Sequence, residues 1–382
     1  MSGGKSYNHY SLHNSIQIVK GGSSYFNFLK NLIKNAKHSI QLRIYIWNDD
    51  ETGNSVANEL IEAAKKGVAV FAIADGYASQ GLSKEFKKKL RSSGIHFRYF
   101  EPLLRSSDFY FGRRMHEKII VVDETKALVG GINFANRYND VDGVPAWLDY
   151  ALYLEGEAAF ELFKYCRKDW NNEKELSKHF ANGFSEKQCS VRVRYNDWVK
   201  GKNEVWKSYF NFFNQADESI TIMCSYFLPG RILRKRLSMA AKRGVKVKLI
   251  LAGPSDVMLA KYAERYLYRW MLRNGIEIYE YQPAVLHAKM MVVDNHWVTI
   301  GSYNVNNVSA YASMELNLDV RNKPFASSIQ QMMDCIIEKD CIRITTKSPV
   351  FNTGFIRKFF QKTSYELIRM ILNLSTFYFK QE

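Results

Sequence analysis

Two stretches hold the residues best suited to chemistry: His116 to Asn133, HEKIIVVDETKALVGGIN, and His287 to Asn304, HAKMMVVDNHWVTIGSYN. Each opens on a histidine followed two positions later by a lysine, and an aspartate comes five positions after that lysine. A Gly-Gly or Gly-Ser pair follows, then one apolar residue and an asparagine. His116, Lys118, Asp123, Gly130, Gly131 and Asn133 match His287, Lys289, Asp294, Gly301, Ser302 and Asn304 at identical spacing. Chance does not place six matched positions twice in one chain.

The set suits a phosphodiester. Imidazole can attack phosphorus or protonate a leaving alkoxide. Lysine ammonium and asparagine amide groups can stabilise the equatorial oxygens of a five-coordinate phosphorus. No cluster of carboxylates for a divalent metal sits nearby in the sequence, so the lysine pair would take the metal's place. No metal and no cofactor is expected.

Each copy reads as a strand, a turn, a second strand and the start of a helix. Residues 117–122 and 288–293 are rich in β-branched and apolar types and run into turn residues. A histidine and a lysine two apart share one face of a strand. Asp123 and Asp294, at odd spacing, point to the other face or its turn. Asn133 and Asn304 follow a small-residue turn at the mouth of the next element.

The surrounding elements repeat as well. An amphipathic helix at 24–37 and a strand at 39–47 correspond to NEVWKSYFNFFNQAD and the strand at 219–227. AAKKGVAVFAIADG (63–76) corresponds to AAKRGVKVKLILAG (240–253), and SGIHFRYF (93–100) to NGIEIYEY (274–281). An offset this long implies a duplicated domain rather than a solenoid. Helices alternate with strands, so the expected fold is α/β: two pseudo-symmetric domains with mixed, largely parallel central sheets and a shared cleft. The domains are placed at 14–185 and 190–345, with a basic amphipathic helix at 350–382. The polar join at 172–200 lacks periodicity.

The paired motif resembles that of the phospholipase D superfamily, H-x-K-x4-D-x6-G-[GS]-x-N, and both copies match it in full. Within the superfamily the chain is most similar to bacterial cardiolipin synthases without transmembrane helices, from about residue 14 to about 340. The resemblance implies a phosphatidyltransferase joining two phosphatidylglycerol molecules, with His116 as nucleophile and His287 protonating the leaving alcohol. Hydrolysis of a phospholipid and cleavage of nucleic acid are the alternatives within the superfamily. It implies a structural role for Asp123 and Asp294. It also implies that Glu315, eleven positions after Asn304, and Asp149, in the W-x-D-x5-E-G pattern, orient the histidines. Where relatives commonly carry an Arg-Ser pair, this chain has Asn307 and Val308 before Ser309, so no phosphate-binding arginine is carried to that place.

The approach to the first motif, SSDFYFGRRM, makes Arg113 and Arg114 candidate substrate-binding residues beside Phe109, Tyr110 and Phe111. His38, His96, His179 and His296 read as structural, and Lys87, Lys88 and Lys89 as a solvated helix face. The helix at 257–273 is either core-packed or the wall of a cleft that receives acyl chains.

A net charge of +16 implies an anionic partner, and 46% hydrophobic with 24% charged residues describes a globular protein. Five scattered cysteines read as buried free thiols in a reducing compartment. The N-terminal residues show no apolar run of a signal peptide, and no stretch reaches the ~20 apolar residues needed to span a bilayer. At 353–380, Phe355, Phe359, Phe360, Leu367, Met370 and Phe377 recur at helical spacing among arginines and lysines. Such a helix can lie in the plane of an anionic bilayer or dock on the core, and the first is favoured. An anionic phospholipid substrate, peripheral contact with the cytoplasmic face of the membrane, a cytoplasmic location and a monomer are expected. Nucleic acid is disfavoured, because the basic residues are interleaved with long apolar faces.

Overall fold

The computed structural model describes residues 9–102, 113–170, 189–311, 313–350 and 354–376. Phe109, Tyr110, Phe111, His179, Phe377, Tyr378 and most of the join lie outside these residues.

The first half runs β1 (Asn14–Lys20), α1 (Ser23–Lys34), β2 (Ser39–Ile44), α2 (Glu51–Lys65), β3 (Ala69–Asp75), α3 (Lys84–Ser92) and β4 (His96–Phe100). It continues through β5 (Arg114–Met115), β6 (Ile119–Val122), β7 (Lys126–Gly130), β8 (Tyr150–Gly156) and α4 (Glu157–Arg167). The second half runs β9 (Ser190–Asp197), β10 (Lys202–Asn203), α5 (Glu204–Gln215), β11 (Ser219–Cys224), α6 (Arg231–Lys242), β12 (Lys246–Ala252), α7 (Met258–Arg273) and β13 (Glu277–Tyr281). It ends with β14 (Lys289–Val293), β15 (Trp297–Gly301), α8 (Asn307–Tyr311), β16 (Ser313–Arg321), α9 (Lys323–Asp340), β17 (Cys341–Ile344) and α10 (Phe355–Thr376).

Local chemistry sets the boundaries. Asp50 caps α2 by accepting from Gly53 N at 2.9 Å, and Ser83 caps α3 from Phe86 N at 3.0 Å. Helix α1 buries Tyr25, Phe26, Leu29, Leu32 and Ile33, a stripe at helical spacing that lies on the first sheet.

The strand order is β1-β8-β7-β6-β2-β3-β4 in the first sheet and β10-β9-β16-β15-β14-β11-β12-β13-β17 in the second. Both sheets are mixed, with a smaller parallel share than the alternation of helices and strands suggests. Among the described strands, parallel pairing occurs in β2-β3-β4 and β11-β12-β13 and between β5 and β16, with single parallel bridges such as Leu148 to Leu286 outside them. The reason lies in the motifs: each folds as a tight hairpin, β6-β7 or β14-β15, and a tight turn permits only antiparallel neighbours.

The chain stacks into five layers. α1, α2 and α3 cover the outer face of the first sheet, and α5, α6 and α7 that of the second. Between the sheets α4 and α9 fill a central layer, where Leu162, Phe163, Ile329 and Met333 pack among the inward residues of both. The halves are also stitched by backbone: β5 pairs with β16, and Leu148 N donates to Val285 O at 2.9 Å.

α10 docks on α7. Gln361 and Ser364 are buried there, and Tyr365 stacks on Tyr266 with ring centroids 4.9 Å apart. Its other face leaves Phe359, Phe360 and Met370 more than half exposed. The five cysteines are free, and Cys335, contrary to the expectation of burial, is exposed. Among the described residues no helix is long and apolar enough to cross a membrane.

Candidate active site

Both motif hairpins turn through a pair of left-handed residues, Asp123 and Glu124 (φ 47° and 65°) and Asp294 and Asn295 (φ 51° and 48°), and Asp and Asn enter this region more readily than bulkier residues. The Asp123 carboxylate accepts from the amides of Lys37, His38 and Ser39 at 2.7–3.1 Å. Asp294 accepts from Asp217, Glu218 and Ser219 at 2.8–3.0 Å. Each aspartate thus clamps its hairpin to the start of the neighbouring central strand, β2 or β11, at the end away from the histidine.

At the other end of each hairpin the halves interlock. His116 N donates to Met314 O at 3.0 Å, and His287 N to Leu148 O at 2.8 Å. Each carbonyl belongs to the residue just before a buried acid. His116 Nδ1 lies 2.9 Å from Glu315 Oε2, and His287 Nδ1 lies 2.6 Å from Asp149 Oδ2. The acid of one half therefore holds the imidazole of the other. A carboxylate at Nδ1 fixes the tautomer that presents Nε2 for reaction.

The small residues of the motifs make room for these acids. A Cβ on Gly131 would sit 2.5 Å from Asp149 Oδ2. At the matching position Ser302 donates to Glu315 Oε2 at 2.5 Å and accepts from Leu316 N at 3.1 Å. Glycine thus pairs with the shorter acid's close approach, and serine with the longer acid.

Both lysines curl back over their own histidines. Lys118 Nζ donates to His116 O at 2.7 Å and lies 4.9 Å from the Tyr45 ring, which meets the His116 ring edge-on at 4.6 Å. Lys289 Nζ donates to His287 O and, at 2.9 Å, to Ser225 Oγ, which lies 3.1 Å from Asn304 Oδ1. Asn133 accepts from Ile46 N at 3.0 Å and donates to Tyr138 OH at 3.0 Å, and that hydroxyl is 3.5 Å from His287 Nε2. Tyr45, Ser225 and Tyr138 are not among the sequence candidates, and Ser302 is there only a matched motif position with no role assigned. Tyr45 and Ser225 follow β2 and β11 at equivalent places in the repeat, so the repeat register was the signal that could have found them.

Burial lowers the proton affinity of all four bases. It pushes His287 down to about 3, with Lys289 adding to the effect and Asp149 opposing it. His116 is lowered by burial, against the pull of Glu315. Lys118 falls to about 7 through burial, against Glu315 and helped by Lys289, and burial also lowers Lys289. Lys289 bears on His116 and Lys118 on His287, so the four groups share one electrostatic site. Among the described residues no group of three or more His, Cys, Asp or Glu side chains gathers as a metal-binding set. The arrangement can supply a neutral imidazole to a phosphorus, a second imidazole to a leaving oxygen, and two cations to the oxygens between.

The two arginines part company. Arg113 is held between Glu101 at 2.6 Å and Asp197 at 2.8 Å, which corrects its placement as a phosphate ligand: a guanidinium buried without counter-charge would cost too much. Arg114 lies over the Tyr77 ring at 5.0 Å and bears on Asp75 and Tyr45, at the edge of the site. The residue between the first histidine and lysine, Glu117, faces away from the site. Its Oε2 meets Arg43 Nε at 2.8 Å with both side chains 1% exposed.

The family described as "Cardiolipin synthase, PLD-like domain" matches residues 29–143 and 209–337, one match on each hairpin. Cardiolipin synthase B of Escherichia coli is 30% identical over 346 residues, covering 87% of this chain and 82% of the relative. Its counterpart in Salmonella typhimurium is 32% identical over the same coverage. Among solved structures, phosphatidylserine synthase of Haemophilus influenzae superposes with a TM-score of 0.70 at 15% identity, covering 96% of this chain and 98% of that one. The fold is therefore shared with a phospholipid-handling enzyme, and the sequence kinship runs through both halves: the protein belongs to the cardiolipin synthase, phospholipase D-like domain family.

Proposed function

We propose that the protein is a phosphatidyltransferase that condenses two phosphatidylglycerol molecules into cardiolipin and glycerol. One observation carries the reading. Two imidazoles, each held by a carboxylate of the opposite half, flank two buried lysines in one site. Kinship with cardiolipin synthases over most of the chain supports the choice of substrate.

His116 is assigned as the nucleophile. Its side chain is 14% exposed, whereas Nε2 of His287 is partly covered by the Tyr138 hydroxyl. Nε2 of His116 attacks the phosphorus of the first phosphatidylglycerol, and the P–O bond to the headgroup glycerol breaks. His287, protonated as the anionic phosphodiester enters and raises its proton affinity, gives that proton to the departing glycerol. The phosphatidyl group is then bonded to nitrogen. Neutral His287 takes the proton from a headgroup hydroxyl of the second phosphatidylglycerol, whose oxygen displaces His116 to give cardiolipin. Splitting one displacement into two lowers each barrier. Lys118, Lys289, Asn133 and Asn304 stabilise the equatorial oxygens in both steps, and Asp149 and Glu315 hold the imidazoles. Arg114 stands where it can attract the substrate anion. The protein reaches its substrate from the cytoplasmic side as a peripheral membrane protein and acts as a monomer.

The test is incubation of the purified protein with phosphatidylglycerol vesicles and labelled DNA, with and without EDTA. Cardiolipin and free glycerol in equal amounts, unaffected by EDTA, are expected. Phosphatidic acid alone would make the acceptor water, and cut DNA with untouched lipid would defeat the reading.

A further inference from the structure

On the outer face of the second half a cavity of about 540 Å³ opens between α7 and α10, away from the histidines. Arg234, Arg265, Arg269, Arg273, Lys358 and Lys362 line it, and no carboxylate does among the described residues. Glu280 lies behind the lining and matches Arg265 at 3.0 Å. Arg234 is set by two rings, 6.0 Å from that of Trp270 and 5.9 Å from that of Tyr365. Guanidinium forks grouped with ammonium groups in a concave site recognise phosphate oxygens.

The outer face of α10 identifies the phosphate's source. Phe359, Phe360 and Met370, on the face of α10 turned away from α7 and outside the cavity lining, are 58%, 56% and 53% exposed, and apolar side chains so exposed on a helix that also carries Lys358 and Lys362 suit a lipid interface. Helix α7 runs from this cavity toward the active site. Leu259, Tyr266 and Arg273, spaced by sevens, lie along one exposed line about 21 Å long. That line begins beside exposed Val257 and Met258, next to Asp256, which accepts from Tyr226 OH at 2.5 Å and whose charge bears on Lys289.

We propose that this cavity seats the phosphodiester headgroup of an anionic phospholipid that is not being turned over. The seated lipid lays α7 along the bilayer and brings the mouth of the cleft to the surface from which substrate enters. The inference rests on the membrane-surface part of the proposed function and not on the reaction.

The test compares full-length protein, R273E/K362E and the charge-matched control K84E/K88E on exposed positions of α3. Binding is measured to phosphatidylcholine vesicles with and without phosphatidylglycerol, alongside turnover of a short-chain, monomeric phosphatidylglycerol. R273E/K362E should lose affinity for the anionic vesicles by about tenfold or more, with the control nearly unchanged and short-chain turnover intact in both. Equal losses in both variants would reduce the effect to net charge and overturn the site, as would unchanged vesicle binding. Loss of duplex-DNA binding through these residues, with vesicle binding retained, would overturn it in favour of nucleic acid. If no cardiolipin forms at all, the proposed reaction fails while the vesicle measurements still decide this site.

Discussion

Glu315 of the second half holds Nδ1 of His116 from the first half at 2.9 Å, with its carboxylate fully buried. The reciprocal pair, Asp149 with His287, makes each half incomplete without the other. Replacing Glu315 by Gln keeps the shape but removes the charge that supports an imidazolium. Turnover is expected to fall by about 10²–10⁴-fold, because an amide in place of the orienting carboxylate no longer fixes the imidazole's tautomer. The thermal midpoint should move by no more than about 4 °C. Turnover within threefold of wild type would remove Glu315 from the mechanism.

Lys118 predicts a pH limb. Burial lowers its proton affinity to about 7, so in the free enzyme the ammonium is present below that pH and lost above it. In the proposed reaction the cation serves the phosphate, so kcat/KM should fall about tenfold per pH unit above this value. A bound phosphodiester anion holds the proton on, so kcat should decline only at higher pH. K118R, whose guanidinium stays charged, should flatten the alkaline limb whatever its absolute rate. A limb unchanged in K118R would assign it to another group.

Gly131 tests how the orienting acid is housed. A methyl group there would stand 2.5 Å from the Asp149 carboxylate, which must move and take its grip on His287 with it. G131A is expected to lower turnover at least tenfold and stability by about 1–3 kcal/mol, as overpacking does. The urea midpoint and the rate should fall together. A G131A protein with wild-type turnover would mean that the Asp149–His287 contact is dispensable.

The periodicity and the repeat made the motif strands, the helices around them and the duplicated plan legible. The crossing of acids between halves was not legible, because strand spacing says which face a residue takes but not which half faces it. Arg113 shows the same limit: its partners Glu101 and Asp197 are 12 and 84 positions away, so its neutralisation is a tertiary fact. Tyr138 escaped because nothing in NRYND distinguishes a tyrosine that reaches the other half's imidazole from one in the core.

Glu117 separates stability from chemistry inside the motif itself. It lies between His116 and Lys118, yet points into the layer between the sheets against Arg43, both 1% exposed. Removing Glu117 leaves the buried Arg43 guanidinium with Asp169, 26% exposed, as its remaining carboxylate, and takes the acceptor from the Tyr165 hydroxyl. E117A is expected to lose about 1–3 kcal/mol in urea unfolding, the cost of leaving buried donors unsatisfied. The folded fraction should turn over substrate at close to the wild-type rate. A large rate loss at full folding would place Glu117 in the catalytic machinery.

The docked position of α10 divides two effects that a simple tail would merge. Truncation after residue 350 removes both the Tyr365 stack on Tyr266 and the exposed Phe359 and Phe360, so stability and vesicle binding should fall together. F359S/F360S removes only the exposed rings, 58% and 56% accessible, and should leave the thermal midpoint in place. Each ring that enters a bilayer interface contributes apolar burial of roughly 25 cal/mol per Å². The double variant should therefore weaken vesicle binding by about tenfold or more while sparing short-chain turnover. If vesicle binding survives the double variant and fails only on truncation, α10 serves the fold by covering α7, and the lipid surface must be sought on other elements.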